Sequence, residues 1–189
     1  VIGVEALIRW QHPERGLLAP SVFLPVIEDH PLAVDIGDWV IDSALLQAER
    51  WQALGLDIPV SVNIGARQLQ QNDFVDRLRA RLAAHPAVKP SALVMEVLET
   101  SALEDLARVS AVIESCRNFG VLFSLDDFGT GYSNLHNLYS LNVDILKIDK
   151  SFVDTLTTNS TSHLIAEHII EMAQSLRTEI LKSKQSKAS

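Results

Sequence analysis

Two adjacent carboxylates, Asp126 and Asp127, follow the apolar stretch from Val121 to Leu125. An apolar run of this length is typical of a buried strand. Like charges this close raise each other's pKa unless a cation neutralises them, and hard ions such as Mg²⁺, Mn²⁺ or Ca²⁺ prefer oxygen ligands. The pair is therefore a candidate metal site. The alternative is a structural role, in which Asp127 caps the turn and Asp126 is solvated.

Every other predicted strand also carries a polar residue. These strands are predicted at residues 1–10, 59–64, 92–97 and 143–148. Parallel strands that are buried on both faces are normally continuous apolar runs, and burying an unpaired carboxylate is costly. A satisfied core polar group would explain any single case, but it explains five consecutive strands poorly. The polar residues are Glu5, Asn63, Glu96, Asp126 with Asp127, and Lys147 with Asp149.

The spacing of the strands predicts an α/β fold. The mid-strand residues Val62, Met95, Phe123 and Leu146 are separated by 33, 28 and 23 residues, and a helical pattern fills each interval. Repeated βα units of this kind form a parallel sheet. In a (β/α)₈ TIM barrel the carboxyl ends of the strands converge on one active site. Oxygen ligands would meet there, with Lys147 available for a phosphate or an attacking water.

Composition narrows the possible functions. The chain has 189 residues and 47% hydrophobic content, enough for one domain with a sizeable core. A net charge of −8 argues against binding of DNA or RNA, because that needs a basic face. The single cysteine, Cys116, rules out an internal disulfide framework. The lack of disulfides fits a reducing compartment, so we expect a cytoplasmic protein. Neither a signal peptide nor an apolar run long enough to span a membrane is visible in the sequence.

Five short motifs occur in a fixed order along the chain. Each is unspecific by itself, but the ordered set is highly specific. The motifs are EALIRW at 5–10, SVNI at 61–64, EVLE at 96–99, DDFGTGYS at 126–133 and LKIDKSFV at 146–153. Together they resemble the EAL domain family, the bacterial phosphodiesterases that open cyclic di-GMP to linear pGpG in second-messenger signalling. The resemblance covers residues 1–176 and implies a modified TIM barrel.

The resemblance also implies a metal site. By matching positions, Glu5, Asn63, Glu96 and Asp126 would hold one Mg²⁺ or Mn²⁺, and Asp127 would join in binding a second ion. Family resemblance further implies that Ca²⁺ inhibits. These are the residues that the strand pattern selects independently.

Further roles follow from the same resemblance. Lys147 would orient the attacking water or contact the scissile phosphate. Arg9 and Asp149 would contact the substrate, and Glu99 would steady the loop after the Asp pair. The glycines in residues 128–141 suggest a mobile segment at a homodimer interface, although an ordinary surface loop is the alternative.

The sequence departs from the family pattern in several places. Leu98 stands where the family usually has Thr, and Gly65 replaces a usual Ser. The family's first strand would lie before Val1, and its last two strands would follow residue 176. We therefore expect strands two to six of eight in a partial EAL domain at 1–176. A polar Lys/Ser tail at 177–189 is predicted to be disordered.

These departures affect the expected activity. The family's seventh strand carries a Glu that acts as a base or bridging ligand, and it has no counterpart here. We expect this chain alone to be inactive, although the family is a metal-dependent hydrolase. The alternative is a degenerate EAL module that binds cyclic di-GMP or a protein partner without catalysis. An unrelated metal-dependent barrel enzyme is a more distant possibility. The sequence does not show any sensor or membrane domain of a longer protein.

Overall fold

The computed structural model describes residues 2–128, 140–154, 160–175 and 178–182. Six parallel strands form one sheet, and a two-stranded antiparallel ribbon follows the first of them. In chain order the strands are β1 (Val4–Ala6), β2 (Trp10–His12), β3 (Gly16–Leu18), β4 (Val60–Asn63), β5 (Leu93–Leu98), β6 (Leu122–Phe128), β7 (Ile145–Ile148) and β8 (Glu179–Lys182).

Helices fill the intervals between the strands. They are α1 (Pro20–Ile27), α2 (Leu32–Ala53), α3 (Ala66–Leu69), α4 (Phe74–Ala84), α5 (Glu99–Glu104), α6 (Leu106–Arg117), α7 (Lys150–Asp154) and α8 (Ser160–Ser175). Local sequence sets several of their ends. The side chain of Asp105 accepts a hydrogen bond from the Arg108 backbone and caps α6. Gly55 and Gly120 have positive φ angles in the turns after α2 and α6, where a Cβ would be strained.

The order of strands in the large sheet is β1-β4-β5-β6-β7-β8, which is also their order along the chain. A doubly wound sheet would instead reverse direction at a switch point. Successive parallel strands with helical crossovers are the pattern of a barrel wall. The predicted fold class, a partial TIM-barrel-like α/β fold, is confirmed.

The strand count and the start of the tail differ from the prediction. The strand β8 lies within the stretch 177–189 that was predicted to be disordered, and it pairs with β7 from Ile145↔Glu179 to Ile148↔Lys182. The sheet therefore has a sixth strand. The short EILK segment has little strand signal of its own, but β7 offers unpaired backbone groups that such a segment can satisfy. Residues 183–189 lie outside the described part.

The two faces of the sheet differ in chemistry because side chains alternate along each strand. One face packs against the helices and forms the apolar core, and its strand residues include Val62, Met95, Phe123, Leu125 and Leu146. The alternate positions form the opposite face, which would be the inside of a barrel. This inner face carries Glu5, Asn63, Glu96, Asp126 and Lys147.

Candidate active site

Lys147 on β7 lies at the centre of a group of acidic side chains. Its Nζ donates hydrogen bonds of 2.8 Å to Glu96 Oε2 and 2.8 Å to Asp126 Oδ2. Glu5 Oε2 is 3.9 Å from the same nitrogen. We call Glu5, Glu96 and Asp126 the carboxylate cluster. Its three members come from β1, β5 and β6, so residues far apart in sequence meet on the inner face of the sheet.

Asn63 extends this group toward the first strand. Its Nδ2 donates a hydrogen bond of 3.0 Å to Glu5 Oε1. The parallel register pairs Asn63 with Glu96, so their side chains leave the same face of the sheet in adjacent positions. Asn63 is exposed, whereas Glu96 is only 3% exposed. The site is therefore open to solvent at Asn63 on β4 and closed to solvent at Glu96 on β5.

The backbone turns at the Asp pair. Asp127 has a φ of 55°, in the left-handed region, which Asp tolerates better than most residues. The pairing of β6 with β7 shifts register between Leu125 and Phe128, as it does at a β-bulge. Asp126 Oδ1 accepts a hydrogen bond of 2.9 Å from the Asp127 backbone N–H. The two adjacent carboxylates are therefore not arranged as in a regular strand, and Asp126 remains on the cluster side.

Burial and charge act on the two central groups. Burial raises the pKa of Glu96 above its usual value, and the hydrogen bond from Lys147 only partly offsets this. Burial alone would lower the pKa of Lys147, but its bonds to Asp126 and Glu96 outweigh that effect, so the pKa of Lys147 is raised. Lys147 therefore stays protonated at neutral pH.

The other predicted site residues differ in their exposure and bonding. Glu99 and Asp149 are both buried, and the Asp149 backbone N–H donates to the Phe128 carbonyl at 3.3 Å. Arg9 is exposed, and its guanidinium donates to the Ile8 carbonyl. Arg9 thus points to a backbone oxygen in its own segment. Most of the predicted dimer segment, residues 129–139, lies outside the described residues.

Leu98 stands at the end of β5, opposite Asp126 in the register. It is 43% exposed and brings an apolar surface to the mouth of the site. This position has no hydroxyl that could bond the neighbouring carboxylates.

The donor set suits a hard divalent cation, because it consists of three carboxylates and an amide. As the side chains lie, no three His, Cys, Asp or Glu residues in the described ranges surround a point that could hold an ion. The ammonium of Lys147 takes the place between Glu96 and Asp126 instead. The residues therefore fit a metal by their chemistry and already stabilise one positive charge.

One inner-face residue was not selected from the sequence. Ser124 lies two residues before Asp126 and is only 1% exposed. The signal that could have found it is its parity with Asp126, since both positions must face the same side of the strand.

A sequence model of the EAL domain family matches residues 1–182. The chain belongs to the EAL domain family. It is 40% identical over 182 residues to MucR of Pseudomonas aeruginosa, a bifunctional diguanylate cyclase/cyclic di-GMP phosphodiesterase. It is 33% identical over 181 residues to the cyclic di-GMP phosphodiesterase PdeR of Escherichia coli. Both alignments cover 96% of this chain but only 26% and 27% of the relatives, so this EAL domain spans about a quarter of their length.

The fold agrees with a solved EAL structure. The MucR phosphodiesterase in complex with cyclic di-GMP superposes with a TM-score of 0.89 and 38% identity. The comparison covers 100% of this EAL domain and 76% of that chain. Within the described part of the chain, none of the helices combines the length and apolar character needed to cross a membrane.

Proposed function

We propose that this EAL domain binds cyclic di-GMP and carries a metal-dependent site for its hydrolysis to linear pGpG. The observation that carries the proposal is the meeting of Glu5, Asn63, Glu96 and Asp126 around Lys147 on the inner face of the sheet. Similarity to two proteins named as cyclic di-GMP phosphodiesterases supports the substrate class.

Charge balance supports metal binding. The carboxylate cluster carries three negative charges when ionised, and Lys147 supplies one positive charge, which leaves two negative charges. One divalent cation would neutralise them. Mg²⁺ or Mn²⁺ would be held by the cluster with Asn63, and Asp127 would contribute to a second ion. Such ions, when bound, activate a water molecule and stabilise charge on a phosphate.

Lys147 would act on the reacting groups through its ammonium. Two short hydrogen bonds fix its position, and its raised pKa keeps it protonated. A fixed cation of this kind can orient a water or bind a phosphate oxygen. Of the surrounding residues, Arg9 would bind a ligand phosphate after its side chain leaves the Ile8 carbonyl. Asp149 would contact the substrate from the end of β7.

Two further proposed roles concern the loop that follows β6. Glu99, buried at the start of α5, would steady this loop. Residues 128–141 would form a homodimer contact that responds to the ligand.

Binding of Ca²⁺ in place of Mg²⁺ or Mn²⁺ would inhibit hydrolysis.

A second candidate is a non-catalytic EAL module that binds cyclic di-GMP or a protein partner. The specific observation in its favour is that Lys147 already neutralises much of the charge of Glu96 and Asp126. The exposed Leu98 beside Asp126 also offers no hydroxyl to the site. In this case the cluster would shape the ligand pocket, and the metal would be dispensable.

The test is a pGpG-release assay on the purified chain with Mg²⁺ or Mn²⁺, with EDTA as the metal-free arm. The chain alone is expected to release little pGpG, so a version that includes the family's seventh-strand Glu is assayed beside it. In that version hydrolysis should require the metal and should fall at least about 100-fold in Asp126→Asn, as expected when a group essential to the reaction is removed. The matched control is Asp76→Asn, because Asp76 lies on the exposed face of α4 and its loss should leave the rate unchanged.

Cyclic di-GMP binding, measured by calorimetry on the same samples, separates the two candidates. Binding by the version with the seventh-strand Glu, without any pGpG release in Mg²⁺ or in Mn²⁺, would support the non-catalytic module. Absence of both binding and release would refute the first candidate and the cyclic di-GMP form of the second, which leaves only the protein-partner form.

A further inference from the structure

Ser124 carries a buried hydroxyl that lacks a hydrogen-bond partner within the described part of the chain. It lies in the middle of β6 and is 1% exposed. Its Oγ forms no hydrogen bond with any group in the described ranges. A buried hydroxyl without a partner is destabilising, and buried polar groups in proteins are nearly always bonded to protein or to ordered water.

The position of Ser124 relates it to the carboxylate cluster. Its neighbours in the chain, Phe123 and Leu125, belong to the apolar core on the other face. Ser124 therefore points to the inner face, two residues below Asp126. The register pairs it with Glu96 on β5 and Ile145 on β7. The hydroxyl thus lies in the same row as the most buried carboxylate of the cluster.

The strand spacing suits one bridging molecule. Adjacent strands lie about 4.8 Å apart, and two hydrogen bonds through a water span at most about 6 Å. A buried water usually has about three polar partners. The polar groups near this position that can hydrogen-bond to such a water are those of Ser124, Glu96, Asp126 and Lys147.

We propose that Ser124 holds a buried water molecule that hydrogen-bonds to the Glu96 carboxylate. Ser124 is then a positioning residue, which fixes the orientation of Glu96 without touching a ligand itself. Groups that orient metal ligands in this way typically change metal affinity by about 10–100-fold when they are removed. The consequence for metal binding rests on the proposed function, whereas the water itself does not.

The first test is a crystal structure of the metal-free chain at a resolution that shows ordered water. A water should lie within hydrogen-bond distance of both Ser124 Oγ and a Glu96 carboxylate oxygen. A Ser124 hydroxyl bonded directly to protein, or an empty space beside it, would overturn the proposal.

The second test is calorimetric titration with Mn²⁺. Ser124→Ala should bind Mn²⁺ about tenfold more weakly than the parent chain, while its melting temperature in EDTA stays within a degree or two. The matched control is Ser115→Ala, which removes a hydroxyl that bonds to the Ala111 carbonyl on α6, away from the inner face of the sheet, and should change the affinity less than twofold. Unchanged Mn²⁺ affinity in Ser124→Ala would refute the positioning role. If the parent chain itself fails to bind Mn²⁺, the metal proposal fails, and the crystal structure alone decides on the water.

Discussion

Replacing Lys147 by Met tests how much the carboxylate cluster depends on its internal cation. The substitution keeps an unbranched side chain of similar length but leaves Glu96 and Asp126 without their 2.8 Å partners. At an effective dielectric constant of about 20, each contact contributes about 6 kcal/mol of Coulomb energy. Most of that is offset by the cost of burying the charges. Removing one partner of a buried pair therefore destabilises by about 3–5 kcal/mol.

The expected loss of stability is measurable by thermal unfolding. For a chain of this length, 1 kcal/mol corresponds to about 2–4 °C, so Lys147→Met should melt roughly 6–20 °C below the parent in EDTA at pH 8. The loss should be smaller at pH 5. Without Lys147 the pKa of Glu96 rises further above its usual value, because the bond that lowers it is gone. A carboxyl whose folded-state pKa is raised stabilises the fold as pH falls.

The matched control is Lys150→Met. Lys150 forms an exposed ion pair with Asp154 at 3.4 Å, and such pairs contribute little. Equal melting temperatures for Lys147→Met and Lys150→Met at pH 8 would refute the reasoning. A deficit that grew on lowering the pH would contradict the assigned role of Glu96.

Three further predictions concern the scaffold. Gly37→Ala should lower the free energy of unfolding by roughly 1–2 kcal/mol in chemical denaturation, because the new Cβ would collide with the buried Gln68 amide. Ala normally favours a helix over Gly, so the same substitution should stabilise the chain in a Gln68→Ala background. Burial raises the pKa of Cys116 to about 12, so only about one thiol in 10⁴ is ionised at pH 8. A disulfide reagent should therefore label Cys116 only after unfolding, and rapid labelling of the native chain would contradict this. Asp144→Ala should lower the free energy of unfolding by about 2 kcal/mol, because Asp144 accepts a 2.9 Å hydrogen bond from the Phe123 backbone N–H. Mn²⁺ binding, measured by calorimetry, should be unchanged in this variant, and a loss of binding would count against the proposed location of the metal site.

Much of the architecture could be predicted from the sequence because the βα repeats are long and strongly patterned. The sixth strand could not, because EILK at 179–182 is short and lies beside a polar tail. Its strand conformation depends on pairing with β7. The ribbon of β2 and β3 could not be predicted either, since its two strands have only three residues each.

The site shows a similar division. Strand alternation and motif order were enough to select Glu5, Asn63, Glu96 and Asp126. The sequence did not show that Lys147 would be bonded between two of these carboxylates, because such pairing is set by register across three strands. Ser124 was not selected as a site residue because the sequence places no His base near it for a nucleophilic role, and a serine inside an apolar run carries no other pattern. Its relation to the carboxylate cluster becomes visible only once its burial and its register pairing with Glu96 are known.

Calorimetric titration of the metal-free chain with Mn²⁺ tests the central claim most directly. The account predicts saturable binding by the parent chain and by the surface control Asp76→Asn, and binding at least about tenfold weaker in Asp126→Asn. At a free Mn²⁺ concentration of 100 times Kd, binding should stabilise the parent by about 2.7 kcal/mol, an effect that the Asp126→Asn chain should largely lose. Equal Mn²⁺ affinity in the parent and Asp126→Asn would contradict the assignment of the carboxylate cluster as the metal site.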